Sequence, residues 1–357
     1  LKRLQGNTMI SIMNKDSSGK ILLVIFLFMT SMNLFGQKTD TIIHVNGNIL
    51  LGEIKKLNDG IITYKMDGMG TIKFQVDKIN TFKSEKSFQV VLKGGKQYFG
   101  SFDTCGIERH VKLILINGSD RLFIEDIIEL YPIKKNFWLR TSGSLGLGFN
   151  FSKGSNIATL TTSGSLNHRN RHSYAELSWS DNTTYQSDSI NSNKSDANLM
   201  IQRLIYRKWY LGFNIEGSSN SELGYKFRIL GGVSVINYII QDYHNRLYVS
   251  LGSNANREWS KDNDEVTNNM EGLLGINYHY YKYTDPEINI TTYVNTYPNF
   301  TTSGRYRVNY YLDAKVEVIS DFNVGINIYY NFDSKPISVD AARDDYGIAT
   351  TISYTFH

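Results

Sequence analysis

Cysteine is all but missing. The 357-residue chain has one, Cys105, so neither an intrachain disulfide nor a cysteine-based metal site can form. That thiol reads as a small buried side chain. Proline is nearly as scarce, with 4 residues. Proline interrupts the hydrogen-bond ladder of a sheet, so its scarcity leaves room for long strands. A surplus of one charge is lacking too. Lysine and arginine number 38 against 34 acidic residues, a formal net charge of +4, and the basic residues are scattered. That argues against a nucleic-acid interface. Outside one segment near the start, no apolar run approaches the ~18 residues of a membrane helix. Any other membrane contact must therefore come from strands.

What the chain does have is aromatic residues and glycine: 24 Tyr, 18 Phe and 29 Gly. This composition suits long strands joined by tight turns. The mean hydropathy of −0.31 does not exclude a membrane, because a barrel turns only alternate residues to lipid.

The exceptional apolar segment is 20–36, KILLVIFLFMTSMNLFG. Lys15 and Lys20 precede an apolar core, Ile21 to Met29, of signal-peptide length. Cleavage after Gly36 would leave Gln37 as the first mature residue, and no cysteine follows to carry a lipid anchor. Residues 1–36 are set aside as signal peptide and upstream residues.

Residues 37–134 read as a small periplasmic β-domain made of two repeats, about 40–86 and 87–134, offset by 48. Gly47 and Gly52 align with Gly95 and Gly100, and Val76, Ile79 and Phe82 align with Ile124, Ile127 and Leu130. Asn46-Gly47 and Gly94-Gly95 are hairpin signals because both positions tolerate positive φ. Gly52 and Gly100 fall inside strand patterns, where glycine marks a bulge or bend. Each copy resembles a small Sm-like or SH3-like barrel. His44, Asp103, Glu108 and His110 lack metal-ligand spacing. These residues read as surface polar groups; the sharper alternative is that the domain docks a periplasmic protein or peptidoglycan.

From 135 to 357 the chain alternates strand after strand. Tyr306, Val308, Tyr310, Leu312, Ala314, Val316 and Val318 share one face. Arg305, Arg307, Asn309, Tyr311, Asp313, Lys315 and Glu317 share the other. Beyond Ser320-Asp321, Val324, Ile326, Ile328, Tyr330 and Phe332 oppose Asn323, Gly325, Asn327, Tyr329 and Asn331. Tyr225, Phe227 and Ile229 likewise oppose Lys226 and Arg228. An apolar face and a polar face on each strand are what lipid outside and a wet lumen inside require. Roughly 12 such segments can be counted. The fold expected is all-β: a C-terminal antiparallel transmembrane β-barrel of about 12 strands behind the small β-domain. Connections alternate between short (168–171, 207–208, 320–321) and longer polar ones (184–196, 217–223, 259–266, 333–346). Short periplasmic turns and long external loops are the bacterial pattern. An even strand count then leaves both barrel ends on the periplasmic side.

The chain closes on Ile348, Thr350, Ile352, Tyr354 and Phe356, an alternating pattern of the kind barrel-assembly machinery reads, with Tyr354 and Phe356 as the signal. Together with Asp333-Ser334-Lys335-Pro336 and Asp345-Tyr346-Gly347, this ending resembles the YdiY-like family of salt-induced outer-membrane proteins. That is a domain-of-unknown-function family, number 481, and the likeness covers about 137–357. The resemblance implies a barrel in the outer membrane, in contact with its lipid, but no activity or catalytic residues.

No nucleophile elbow, phosphate loop or metal-ligand cluster is present, and His168, His172 and His244 fall in turns. His279 reads as an aromatic-belt residue beside Tyr278 and Tyr280. No enzyme activity and no cofactor are expected. The candidate lumen charges are Arg140, Glu176, Glu216, Lys226, Arg228, Glu271, Arg305, Arg307, Asp313, Lys315 and Glu317. Two functions follow from them. An open lumen would make a narrow diffusion pore with a charged constriction. Charges paired across the lumen would make a non-conducting structural or envelope-stress barrel.

Overall fold

A computed structural model describes residues 40–354, apart from 67, 135, 187–188, 221–224, 261–264, 320 and 338–341. The expected signal peptide and Phe356 lie outside the described residues. Two antiparallel sheets account for almost everything else, and both belong to one compact unit.

The first, nine-stranded sheet holds β1 (Asp40–His44), β2 (Ile49–Asn58), β3 (Ile61–Met66), β4 (Gly70–Gln75), β5 (Ile79–Leu92), β6 (Gln97–Asp103), β7 (His110–Leu115), β8 (Gly118–Phe123) and β9 (Ile127–Pro132). The offset of 48 carries β4 onto β8, and the 3-10 turn Val76–Lys78 onto Ile124–Asp126. The core repeats with it. Ile42, Ile54, Val76, Ile79 and Phe82 are buried in the first copy, and Val90, Phe102, Ile124, Ile127 and Leu130 are buried in the second. β5 serves both copies, pairing with β1 at one end and with β6 and β9 at the other. The copies therefore share one core rather than folding as two separate barrels.

Local chemistry explains the shared signals. A Cβ at Gly52 would collide with the Lys65 carbonyl, and one at Gly100 with the Ile114 carbonyl, so both strands cross too closely for a side chain. The turn after β1 differs from expectation. Positive φ occurs at Gly47 but not at Asn46, because the loop has four residues and closes on His44. Gly94 and Gly95 both take positive φ, as expected. Cys105 is half-buried rather than buried. Asp40 is fully buried and satisfied: Ser84 Oγ donates to it at 2.5 Å, the Ile54 amide at 2.6 Å and Lys86 at 3.3 Å. Partial burial opposes ionisation of Glu53, but Lys55 and Lys86 outweigh it and hold the carboxyl below its usual value. Arg109 ties the two 3-10 turns together, donating to the Asp77 carbonyl at 2.7 Å and to Glu125.

The second sheet has twelve strands in sequential order: β10 (Thr141–Ser152), β11 (Ile157–Arg169), β12 (Ser173–Gln186), β13 (Ser189–Tyr206), β14 (Trp209–Asn220), β15 (Tyr225–Gln241), β16 (Asn245–Ser260), β17 (Val266–Lys282), β18 (Ile288–Pro298), β19 (Tyr306–Ile319), β20 (Phe322–Asp333) and β21 (Asp344–Tyr354). It curls into a barrel-like wall, since one interior cavity is lined by β12–β15 on one side and β18–β20 on the other. Among the described residues β10 is hydrogen-bonded to β11 alone and β21 to β20 alone.

The alternation read from sequence sets the two faces. Leu145, Leu147, Phe149, Ile348 and Ile352 are exposed on the outside, while Ser250, Asn254, Asn256 and Glu258 are buried inside. Two expectations need correction. Residues 184–186, 189–196 and 217–220 are strand rather than loop, because β12, β13 and β14 stay paired where the sequence has become polar. Tyr225 faces inward, not outward. A bulge between Tyr225 and Phe227 inserts Lys226 as an extra residue, which reverses the side on which Tyr225 emerges.

Candidate functional site

The charged interior residues gather in two layers, one at each end of the barrel. The far layer sits at the β20–β21 end. Its centre is Glu258 on β16, with no exposed surface. Arg228 on β15 reaches Glu258 at 2.8 Å, and Arg305, in the loop before β19, at 2.9 Å. Arg305 also holds Asp333 at 2.6 Å. Arg307 makes a two-point contact with Glu271, at 2.6 and 3.0 Å. Aromatic rings back the guanidiniums: Arg228 lies 4.1 Å from the Tyr225 centroid and Arg307 4.7 Å from that of Tyr297. The two-point contacts of Arg305 with Asp333 and of Arg307 with Glu271 are directional and strong, whereas Arg228 Nε approaches Glu258 without hydrogen-bond geometry. Inward of them a cavity of about 420 Å³ has Asp196 and Glu216 on one wall and Tyr293 and Tyr297 on the other.

The near layer lies where the first sheet meets the barrel. Arg246 on β16 reaches Asp59 at 3.0 Å and Glu129 at 3.2 Å, both from the first sheet. Arg169 approaches Glu129 at 3.9 Å and stacks 3.8 Å from the Tyr131 centroid. Burial, then Glu129, push the Tyr131 phenol well above its usual value. Barrel turns complete the contact. Tyr243 packs against the core of the first sheet and donates to the Ile124 carbonyl at 2.6 Å. Gln89 donates to the Arg171 carbonyl at 3.1 Å, and Phe99 meets His172 edge-on.

The eleven candidate charges therefore divide. Arg228, Glu271, Arg305 and Arg307 share the far layer, with Glu216 on the cavity below. Glu176 accepts from the Tyr174 hydroxyl at 2.8 Å near the first sheet. Arg140 lies in the 3-10 turn Trp138–Arg140 ahead of β10, donating to the Lys134 carbonyl at 2.6 Å, not on a strand face. Lys226 is exposed at the bulge. Asp313 accepts from Asn327 at 3.2 Å, Lys315 is exposed, and Glu317 accepts from the Asp321 amide at 2.7 Å. These last three stay out of both layers. His279 faces inward onto Asn289 at 3.1 Å, not into an outer aromatic belt. Tyr354 ends the described sheet with its ring against Phe322.

Six charged residues of the layers escaped sequence reasoning: Glu258, Asp333, Asp59, Glu129, Arg169 and Arg246. Glu258 and Asp333 continue the period-2 polar faces of β16 and β20, and reading those strands further would have found both. Asp59 and Glu129 meet Arg246 across 187 and 117 residues, and no periodicity signals that contact.

Residues 141–356 match the family described as Protein of unknown function, DUF481, and the chain belongs to that family. Among curated proteins none matches the chain.

Proposed function

We propose that this DUF481 protein is an integral β-barrel of a Gram-negative outer membrane whose lumen is held shut. β10–β21 would cross the bilayer. The first sheet would stand on the periplasmic side within reach of peptidoglycan and periplasmic proteins. The carrying observation is the far layer. Glu258 is buried between Arg228 and Arg305, and Arg307 is held by Glu271, so the charges of this layer are paired with one another across the lumen. The exposed apolar outer faces of β10 and β21 suit contact with lipid. A non-conducting structural or envelope-stress role fits this better than a diffusion pore, and no reaction is assigned. The bilayer adds one demand. Unpaired strand edges are not tolerated in hydrocarbon, so β10 and β21, which run antiparallel, must pair once inserted.

Location is tested by density separation of membranes from expressing cells. The protein should band with the outer membrane and begin at or near Gln37. Recovery as a soluble periplasmic protein would overturn the reading.

A further inference from the structure

We propose that the chamber between the first sheet and the barrel binds an acidic saccharide. The proposal names a ligand class for the side of the protein assigned above to the periplasm. It rests on that placement only for which saccharides are met. The chamber has a volume of about 760 Å³, within the usual range of ligand pockets.

Its walls are strongly cationic. Seven lysine and arginine side chains line it against two carboxylates, Glu129 and Glu176. Both carboxylates are engaged, Glu129 by Arg246 and Glu176 by the Tyr174 hydroxyl. Among the described residues Lys56, Lys134 and Arg171 make no ion pair. Partial desolvation, then Lys55, hold the Lys134 amine below its usual value. Lys56, Lys134 and Arg171 stand at the exposed rim of the chamber, where an anion placed among cations of one sign is stabilised.

Deeper in, the chemistry is neutral and directional. Gln241 is more than nine-tenths buried, and its Oε1 has no donor. Buried Nε of Arg246 has no acceptor. Buried polar atoms without partners are rare. One accepts and one donates, which a sugar hydroxyl can satisfy from both sides. Tyr210 and Tyr238 supply ring faces beside them. A compact inorganic anion would use only the cationic rim, and a neutral sugar only the interior. A uronic-acid oligosaccharide engages both.

The test is calorimetric titration of the purified full-length protein in detergent micelles with tri-galacturonate, maltotriose and citrate. Tri-galacturonate should bind saturably at one per chain, at least tenfold tighter than either control. Lys134→Glu with Arg171→Glu should weaken it at least tenfold, and so should the uncharged change Gln241→Leu. Lys65→Glu with Lys112→Glu alters net charge equally on exposed strand positions outside the chamber and should leave binding unchanged. Absent binding, equal binding of citrate or maltotriose, wild-type affinity in the chamber variants, or equal loss in the control variant would each overturn the proposal. None of these outcomes depends on where the protein resides, so failure here is distinct from failure of the fractionation.

Discussion

Glu258→Leu should lower the stability of the barrel by about 3–5 kcal/mol, the cost of breaking a buried ion pair by removing one partner. Glu258 has no exposed surface and neutralises two guanidiniums, Arg228 and Arg305. Without it Arg305 keeps Asp333, but Arg228 keeps only the Tyr225 ring. The cost is that of a stranded buried charge, not of lost packing. Glu258→Leu combined with Arg228→Met should therefore recover part of the loss, because a buried pair replaced as a whole by apolar side chains is often close to neutral. Urea unfolding of the three proteins in micelles measures this. Equal stability of the single and double variants would mean that the Arg228 charge does not need Glu258 to balance it.

Ile326→Lys should cost about 2–4 kcal/mol in a bilayer, and its neighbour Asn327→Lys little. Ile326 lies on the outer face of β20, opposite Ala314 and Thr350. A lysine there would sit in lipid near the middle of the strand. Asn327 points inward and donates to the Tyr311 hydroxyl at 2.9 Å and to Asp313 at 3.2 Å. A lysine at that position finds an acidic partner already in place. The readout is the fraction of protein that keeps heat-modifiable mobility after refolding into lipid vesicles. Similar losses at the two positions would contradict a lipid-facing outer surface.

The faces of β19 and β20 were legible because each residue alternation has one apolar and one polar partner, and burial on one side enforces it. The offset of 48 was legible because both copies need glycine at the same close crossing and the same apolar residues in one core. Legibility ended where these constraints end. Beyond the apolar belt, the sequence of β12 and β13 becomes polar, so strands there looked like loop. Asp333 opens one such polar stretch, and Glu258 lies immediately before another. At Tyr225 a single inserted residue reverses the phase, and no composition rule announces a bulge. The near layer depends on two sheets meeting, which no local pattern encodes: Arg246 had nothing in its neighbourhood to mark Asp59 and Glu129 as its partners.

A shut lumen is tested most directly by planar-bilayer recording of the purified wild-type protein. The paired far layer predicts no steady conductance, with heat-modifiable folding intact. Stable, uniform current steps from the wild type would contradict it. So would a change from anion to cation preference in those steps on Arg305→Glu with Arg307→Glu, because that would place both arginines in an open path rather than in ion pairs.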